Sequence, residues 1–561
     1  MAKPKKKQPA AKPSNEDLLL FRQENVDNKI IIILLIIIAL VPLITRMVVL
    51  PHIAPTISGN ILDTGMKGNA FTYLKMNLLI ILNTIAGLLF FYKMVFLKYH
   101  IKPSFINIPT AALFILILLS CLFSSYSSVA TTGIYTRHEG TLTYIMYISL
   151  FFIAANIQIK PKYLDYFVYA LAPIVIVNAV LGLLGFYGVN ILDNPSVRAL
   201  VISPTFAEYI NAGSSLITTI NNPNYVSGIA AVVFMIYLSK FLLSNRIGEI
   251  AAFFLLILFA FAMLLTSIST SGFLTLLVIG PIILVPALRS ERMIRVLVKF
   301  ALLLSSLALV YVKLNAHNPA VYHNTLGFIP YMAIIPFIVF AVILGIVMGM
   351  RYKGLGKGMA VLAVLLLVAG LLYSDNLQKF PLLNQLAQVR ESLSIPDSDP
   401  ASLIPDETGV LNLPSYVAGP DSGRIHIWAQ TIDLIKKKPV LGYGLDTIGY
   451  HFPHYNLKGA TISSTIVDKP HSMYLALAFG SGLPALLAFL VLVIIYLKES
   501  LFLYLKNINT RQRIMLLCIL GGCLAYLFQS LFNDSIIGTA PIFWIIFGIG
   551  VSLLAQENSE V

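Results

Sequence analysis

Charged residues are what this chain has least of. Only 11% of its 561 residues are Asp, Glu, Lys or Arg, 58% are hydrophobic, and the mean hydropathy is +0.83. A soluble domain carries about 25% charged residues, so the deficit excludes a soluble globular protein. Cysteine is nearly missing. Cys121, Cys518 and Cys523 fall in apolar runs without metal-ligand spacing and read as packing residues. There is no Walker-type loop, no Gly-x-Ser-x-Gly, no aspartate pair and no His-x-x-x-His, so neither a phosphate-cradling loop nor a metal centre is indicated. The apolar runs carry almost no charge in their interiors, where an ion-coupled transporter needs it. No fixed-period repeat is visible.

What the chain does have is apolar runs of membrane-crossing length. They predict an all-α polytopic membrane protein of about 14 transmembrane helices. The spans fall at 29–50, 71–97, 104–126, 141–159, 164–185, 223–243, 249–268, 272–288, 295–313, 329–349, 359–373, 472–497, 514–532 and 541–555. Residues 1–28 form a cytoplasmic tail whose first part, with Lys3, Lys5, Lys6, Lys7 and Lys12, reads as a disordered anchor for anionic lipid. No small-residue cleavage site follows the run from Ile30, so it is a retained helix. The net charge of +14 is informative through its distribution. With the N-terminus inside, roughly 25 of the Lys and Arg residues lie on the cytoplasmic side and roughly 14 outside. The helices at 29–373 and 471–555 are thus separated by one large extracytoplasmic insertion, 374–470, and the chain ends in a cytoplasmic tail at 556–561.

The insertion has two parts. Ser392–Pro420 is rich in Pro, Asp and Ser and reads as an irregular loop. From Gly423 to Lys437, Ile425, Trp428, Ile432 and Ile435 recur at spacings of three and four. They predict a short amphipathic helix on the outer surface, capped by Ser422, with Trp428 anchoring at the interface. Arg424 and Trp428, four apart, share a face.

The ionisable residues gather at the outer rim: Arg137, His138 and Glu139; His317 and His323; Arg424 and His426; His451 and His454; His471. That placement suits work on a substrate at the outer membrane surface. Arg grips phosphate through its planar fork, so Arg424, Arg137 and Lys436–Lys438 are candidates for a pyrophosphate headgroup. A histidine titrates near neutral pH and can take a proton from an attacking hydroxyl. His471 stands at the outer end of a predicted helix, which fixes a side chain better than a loop does.

These pieces resemble the C-terminal signature of the O-antigen ligase and polymerase superfamily. The residues that carry the resemblance are Arg424-Ile425-His426-Ile427-Trp428, Lys438-Pro439-Val440-Leu441-Gly442-Tyr443-Gly444, His471-Ser472-Met473-Tyr474-Leu475 and Gly480-Ser481-Gly482-Leu483. Upstream, Tyr135-Thr136-Arg137-His138-Glu139-Gly140 and Asn221-Asn222-Pro223-Asn224-Tyr225 fit the same pattern, and near the end so does Phe532-Asn533-Asp534 with Pro541, Phe543 and Trp544. The resemblance implies an integral glycosyltransferase of the bacterial cytoplasmic membrane, working on its extracytoplasmic face. It implies inverting transfer of a glycan from undecaprenyl pyrophosphate to a hydroxyl of a glycan, lipid or protein, with no metal, no cofactor and no nucleic acid. Arg424 would then bind the donor diphosphate and His471 would be the general base. Arg137, Lys438, Asn224 and Trp428 would contact substrate. One departure stands out: many members carry Ser-Arg in the turn between the seventh and eighth spans, where this chain reads Ser269-Thr270-Ser271-Gly272.

Blander readings compete at each position. Arg424 also fits a helix cap paired with Asp421, His471 an interfacial helix end, Arg137 a loop ion pair with Glu139, the lysines a solvated helix end, and the asparagines a turn before Pro223. Two other functions stay open. A flippase or exporter of lipid-linked sugars would need polar residues deep in the spans. A non-catalytic scaffold for envelope assembly would tolerate change at the Arg and His positions.

Overall fold

The computed structural model of the chain describes residues 14–53, 64–101, 104, 106–205, 215–220, 222–288, 293–318, 424–453, 467–505 and 510–557. Helices dominate. In chain order they are α1 (Asn15–Leu40), α2 (Tyr73–Val95), α3 (Asn107–Leu122), α4 (Ser127–Thr132), α5 (Thr141–Asn156), α6 (Pro161–Tyr169), α7 (Ala172–Phe186) and α8 (Pro195–Val201). There follow α9 (Pro223–Leu243), α10 (Ile247–Thr266), α11 (Thr270–Leu288), α12 (Met293–His317), α13 (Arg424–Lys437), α14 (Met473–Leu505), α15 (Thr510–Gln529) and α16 (Ala540–Glu557). Among the described residues, nine helices are long and apolar enough to cross a membrane. Three shorter apolar helices, α3, α5 and α16, stand at three further expected spans. The expected spans 329–349 and 359–373, and the insertion up to 423, lie outside the described residues, as does the expected cap Ser422.

Three local expectations are corrected. The first helix begins at Asn15, inside the segment read as tail. There Ser14 and Asp17 form a reciprocal capping box, Asp17 N–H donating to Ser14 Oγ at 3.1 Å and Ser14 N–H to Asp17 Oδ2 at 2.9 Å. That helix ends at Leu40, ahead of Pro42, short of the expected residue 50. Val48–His52 instead forms a strand, β1, antiparallel to β2 (Gly65–Asn69), because a β-branched pair followed by Pro51 suits extended chain. The fold is therefore helical with one small ribbon. Finally, the span expected at 164–185 is matched by one membrane-length stretch, Lys162–Phe186, but it carries a break between α6 and α7 ahead of Pro173.

At the centre stands α9, buried over nearly its whole length and packed on α10, α11 and α15. Its first turns carry Ser227, Gly228, Ala230 and Ala231, small residues that let neighbouring backbones approach. Charge collects at the two ends of the bundle, part of it buried. At one end Lys93 pairs with Asp27 at 2.7 Å, Lys160 with Glu24, and Asp165 with both Lys240 and Arg511. The opposite end holds the β-ribbon, the loop 133–140, and the starts of α2, α9, α11 and α14.

Two glycine segments explain how that end is assembled. The turn after α13 lies backbone to backbone against the first turns of α14. Tyr443 N–H donates to Phe479 O at 3.0 Å, Gly444 N–H to Gly480 O at 2.9 Å, and Leu483 N–H to Pro439 O at 2.7 Å. Gly442 and Gly482 both have positive φ, +66° and +84°. A Cβ at Gly442 would lie 2.3 Å from Phe479 O, and one at Gly482 only 2.0 Å from Val440 O. Gly482 also breaks α14 before Pro484. Gly482→Ala is therefore expected to destabilise the protein by at least about 1–3 kcal/mol from backbone strain alone, with the overlap adding to it. Thermal unfolding in detergent reads this directly, and an unchanged midpoint would contradict it.

Candidate active site

The site is built on α13 and the segment that leads into α14. The helix buries Thr431, Leu434 and Ile435, with Ile427 packed beside them, against Ala478 and Phe479 of α14. This corrects the expected apolar face, since Ile432 is 42% exposed. The sequence contains two overlapping stripes that share Ile435, and packing chooses the one at 427, 431, 434 and 435. The expected surface helix is thus docked on a transmembrane helix.

Trp428 fixes the other contact. Its indole N–H donates to Pro470 O at 2.8 Å, which joins the first turns of α13 to the residue before His471. Arg424, half-buried, stands one turn from Trp428, about 6 Å along the axis. Its charge acts on the His471 imidazole. The structure thus brings Arg424, Trp428 and His471 to one place.

His471 adopts φ +54°, a left-handed conformation uncommon outside glycine. Asp534 holds the backbone there: Ser472 N–H donates to its Oδ1 at 3.2 Å, and Met473 N–H donates to the carbonyls of Ser530 and Asn533 at 3.0 Å. The second carboxylate oxygen, Oδ2, is buried without a hydrogen bond and lies 3.8 Å from His471 Nδ1. That separation is an ion-pair distance, too long for a hydrogen bond. Burial lowers the imidazole pKa below its ordinary 6.5, Asp534 opposes this, and Lys469 and Arg424 add to it. At neutral pH the ring is therefore neutral, able to accept a proton.

The bonds of Arg137 are largely taken up within the fold. Its guanidinium is buried and donates from Nε to Asp446 Oδ1 at 2.9 Å, from Nη1 to Asp468 Oδ2 at 2.5 Å, and from Nη2 to Asp468 O at 2.5 Å. Asp446, itself at φ +61°, accepts Ile134 N–H on its other oxygen at 2.7 Å. Burial alone would raise the Asp468 carboxyl, but Arg137 and Lys469 outweigh it and hold it below its usual range. Arg137 is thus a clasp between the loop 133–140, the turn after α13 and the His471 segment, rather than a partner of Glu139. Glu139 instead accepts the Tyr147 hydroxyl at 2.6 Å, and burial pushes its carboxyl up to about 8. His138 meets Thr72 Oγ1 at 2.8 Å, and burial brings its pKa down to about 4.

Asn224 lies in the layer beneath. Asn222 caps α9 by accepting Asn224 N–H at 2.9 Å, and Pro223 occupies the first helical turn. Asn224 Oδ1 accepts from Ser269 Oγ at 2.7 Å, and Asn533 Nδ2 reaches Ser271 Oγ at 3.3 Å. The serine turn that lacks Arg is thus tied to the turn carrying Asp534. Lys438 is not brought to this place. It follows the last residue of α13, about 20 Å along the axis from Arg424, and lies over the Tyr443 ring at 4.7 Å.

Two cavities open here. One, of about 150 Å³, lies among α2, the start of α9 and the His471 segment, with Lys75, Thr136, Asn222, Tyr225 and Lys469 in its wall. A smaller one, of about 30 Å³, runs from Glu139 and Asp446 to Pro470 and Asp534. Arg137 and Asp468 line both. Asp446, Asp468 and Lys75 take no part in the motifs. Lys75 alone had a signal in the sequence, a cation within an apolar span. Among the described residues no group of three or more His, Cys, Asp or Glu is arranged to hold a metal, and all three cysteines are free.

Residues 332–490 match the family model described as O-antigen ligase, which bears out the resemblance to the O-antigen ligase and polymerase superfamily. Arg424, Trp428, Lys438 and His471 fall inside the matched segment, and Arg137 and Asn224 outside it. No curated protein matches the chain.

Proposed function

We propose that this protein, whose residues 332–490 carry the O-antigen ligase match, is a membrane glycosyltransferase of polysaccharide assembly. In this reading it moves a glycan from undecaprenyl pyrophosphate to an acceptor hydroxyl on the extracytoplasmic face of the cytoplasmic membrane. The observation that carries the reading is the meeting of Arg424 and His471 over one rim, through the bond from Trp428 to Pro470.

The chemistry follows from the parts. A neutral His471 takes the acceptor proton as the hydroxyl oxygen attacks the anomeric carbon. The bond from that carbon to the pyrophosphate oxygen breaks, with inversion, and undecaprenyl pyrophosphate leaves with the electron pair. Arg424 meets the charge that develops on the leaving group, where a positioned donor matters most. Asp534 faces the imidazole from the side of Nδ1, which favours the proton on that nitrogen and leaves Nε2 as the base. Trp428 positions Arg424 against His471, Arg137 sets the segment behind them, and the network of Asn224 supports the turn of Asp534.

The test is purified protein in lipid with a defined undecaprenyl-pyrophosphate oligosaccharide, products resolved by size. A ladder identifies a polymerase and a single addition a ligase, while donor moved across the bilayer without transfer identifies a flippase and overturns the reading. Arg424→Ala is expected to lower the transfer rate about 10²–10³-fold. Arg424→Lys, which keeps the charge and loses the fork, should recover part of it. Unchanged transfer in both variants would remove Arg424 from the reaction.

A further inference from the structure

Several groups in the wall of the larger cavity have hydrogen-bonding capacity left open among the described residues. Lys75, in the first turn of α2, is 1% exposed. Its ammonium donates to Thr219 O at 2.5 Å, and among the described residues it pairs with no carboxylate. One neutral carbonyl and the Phe71 ring, 6.0 Å away, leave two of its three N–H donors open and its charge without an anion among the described residues. Two hydroxyls in the same wall, Tyr225 OH and Thr136 Oγ1, are buried without a hydrogen bond. Lys469 contributes a second cation and lies over the Tyr225 ring at 5.5 Å. The one carboxylate in the wall, Asp468, is already held by Arg137. The wall thus offers two ammonium groups and two hydroxyls with donors to spare, around a space of about 150 Å³. A single water needs about a tenth of that.

We propose that this cavity is a phosphoryl-anion site in which Lys75 and Lys469, with Tyr225 and Thr136, hold one phosphoryl group of the lipid-linked donor. The proposal rests on the transferase reading for its ligand and on the cavity for its residues. It places a phosphoryl group next to the scissile end of the donor, because Lys469 is two residues from His471 on one short segment. An anion there satisfies donors that the fold leaves open, and charge-assisted bonds are the stronger kind.

The experiment is equilibrium binding to the full-length protein in lipid nanodiscs. The probes are undecaprenyl diphosphate in the bilayer and, separately, inorganic pyrophosphate in solution. Lys75→Met and Lys469→Met are each expected to weaken undecaprenyl diphosphate binding roughly 10- to 100-fold, the size of one or two charge-assisted bonds. Lys75→Met should not lower the thermal midpoint of the empty protein, because it removes an uncompensated buried charge. A parallel loss of pyrophosphate binding would show that the phosphoryl group suffices. Binding of the lipid form alone would show that the chain carries the anion in from the membrane. Unchanged affinity in Lys469→Met, or a lowered midpoint with intact affinity in Lys75→Met, would overturn the site. The readout is separate from transfer: binding that depends on Lys75 without transfer leaves the pocket standing, and transfer with unaltered binding removes the pocket alone.

Discussion

Arg137→Met is expected to destabilise the protein by about 3–5 kcal/mol, the usual consequence of taking one partner from a buried charge cluster. The reason is geometric. Met fills much of the same volume but leaves two carboxylates facing each other, with the Asp446 side chain 4% and the Asp468 side chain 20% exposed. Asp446 would lose its donors while still bonded to Ile134 N–H, and Asp468 would lose the charge that holds it ionised. The cost falls on three chain segments at once, so the protein should lose transfer together with stability. A double variant, Arg137→Met with Asp446→Asn, should lose less than the sum of the two single changes, since the pair is in contact. Thermal and denaturant unfolding in detergent check both statements. If Arg137→Met kept its unfolding midpoint and lost only donor affinity, the guanidinium would be a substrate ligand and the clasp assignment would fall.

The second large effect belongs to His471. His471→Ala is expected to lower turnover by about 10²–10⁴-fold, the range for a positioned general base, with a near-normal unfolding midpoint because the ring is partly exposed and stands 3.8 Å from Asp534, beyond hydrogen-bond reach. The pH profile gives an independent readout. Only the neutral ring accepts a proton, so the rate should fall as pH drops through the imidazole pKa. Burial, helped by Lys469 and Arg424, places that pKa below the ordinary 6.5, so the acidic limb should lie below pH 6.5. Asp534 stabilises the protonated ring. Asp534→Asn should therefore move the limb to still lower pH. A limb above 6.5, or no change on removing the carboxylate, would take His471 out of the base role.

Much of the helical architecture is legible in the residues, because burial of twenty-residue apolar runs in lipid leaves few alternatives. The glycine motifs at Gly442 and Gly482 are legible too, although their pairing is not: nothing in a linear order says that these two backbones touch. Composition misjudged the charges near helix ends. Lys75, Lys93 and Lys240 lie within helices and buried; Lys93 and Lys240 find carboxylates on neighbouring helices that a hydropathy window cannot see, whereas Lys75 meets a loop carbonyl. The face of α13 was misassigned for a related reason. Period alone admits two stripes, and the neighbour, Phe479 with Ala478, selects between them.

By itself the sequence determined the class of protein, the approximate run of its helices and the superfamily of its motifs, because each depends on composition or local order. Only the tertiary structure decided which groups Arg137 meets. Whether a guanidinium grips substrate or is neutralised within the fold depends on which carboxylates come to meet it, and Asp446 and Asp468 arrive from more than three hundred residues away. The pocket around Lys75 was decided in the same way, by a buried ammonium to which folding brought hydroxyls and a second lysine but, among the described residues, no carboxylate in salt-bridge contact.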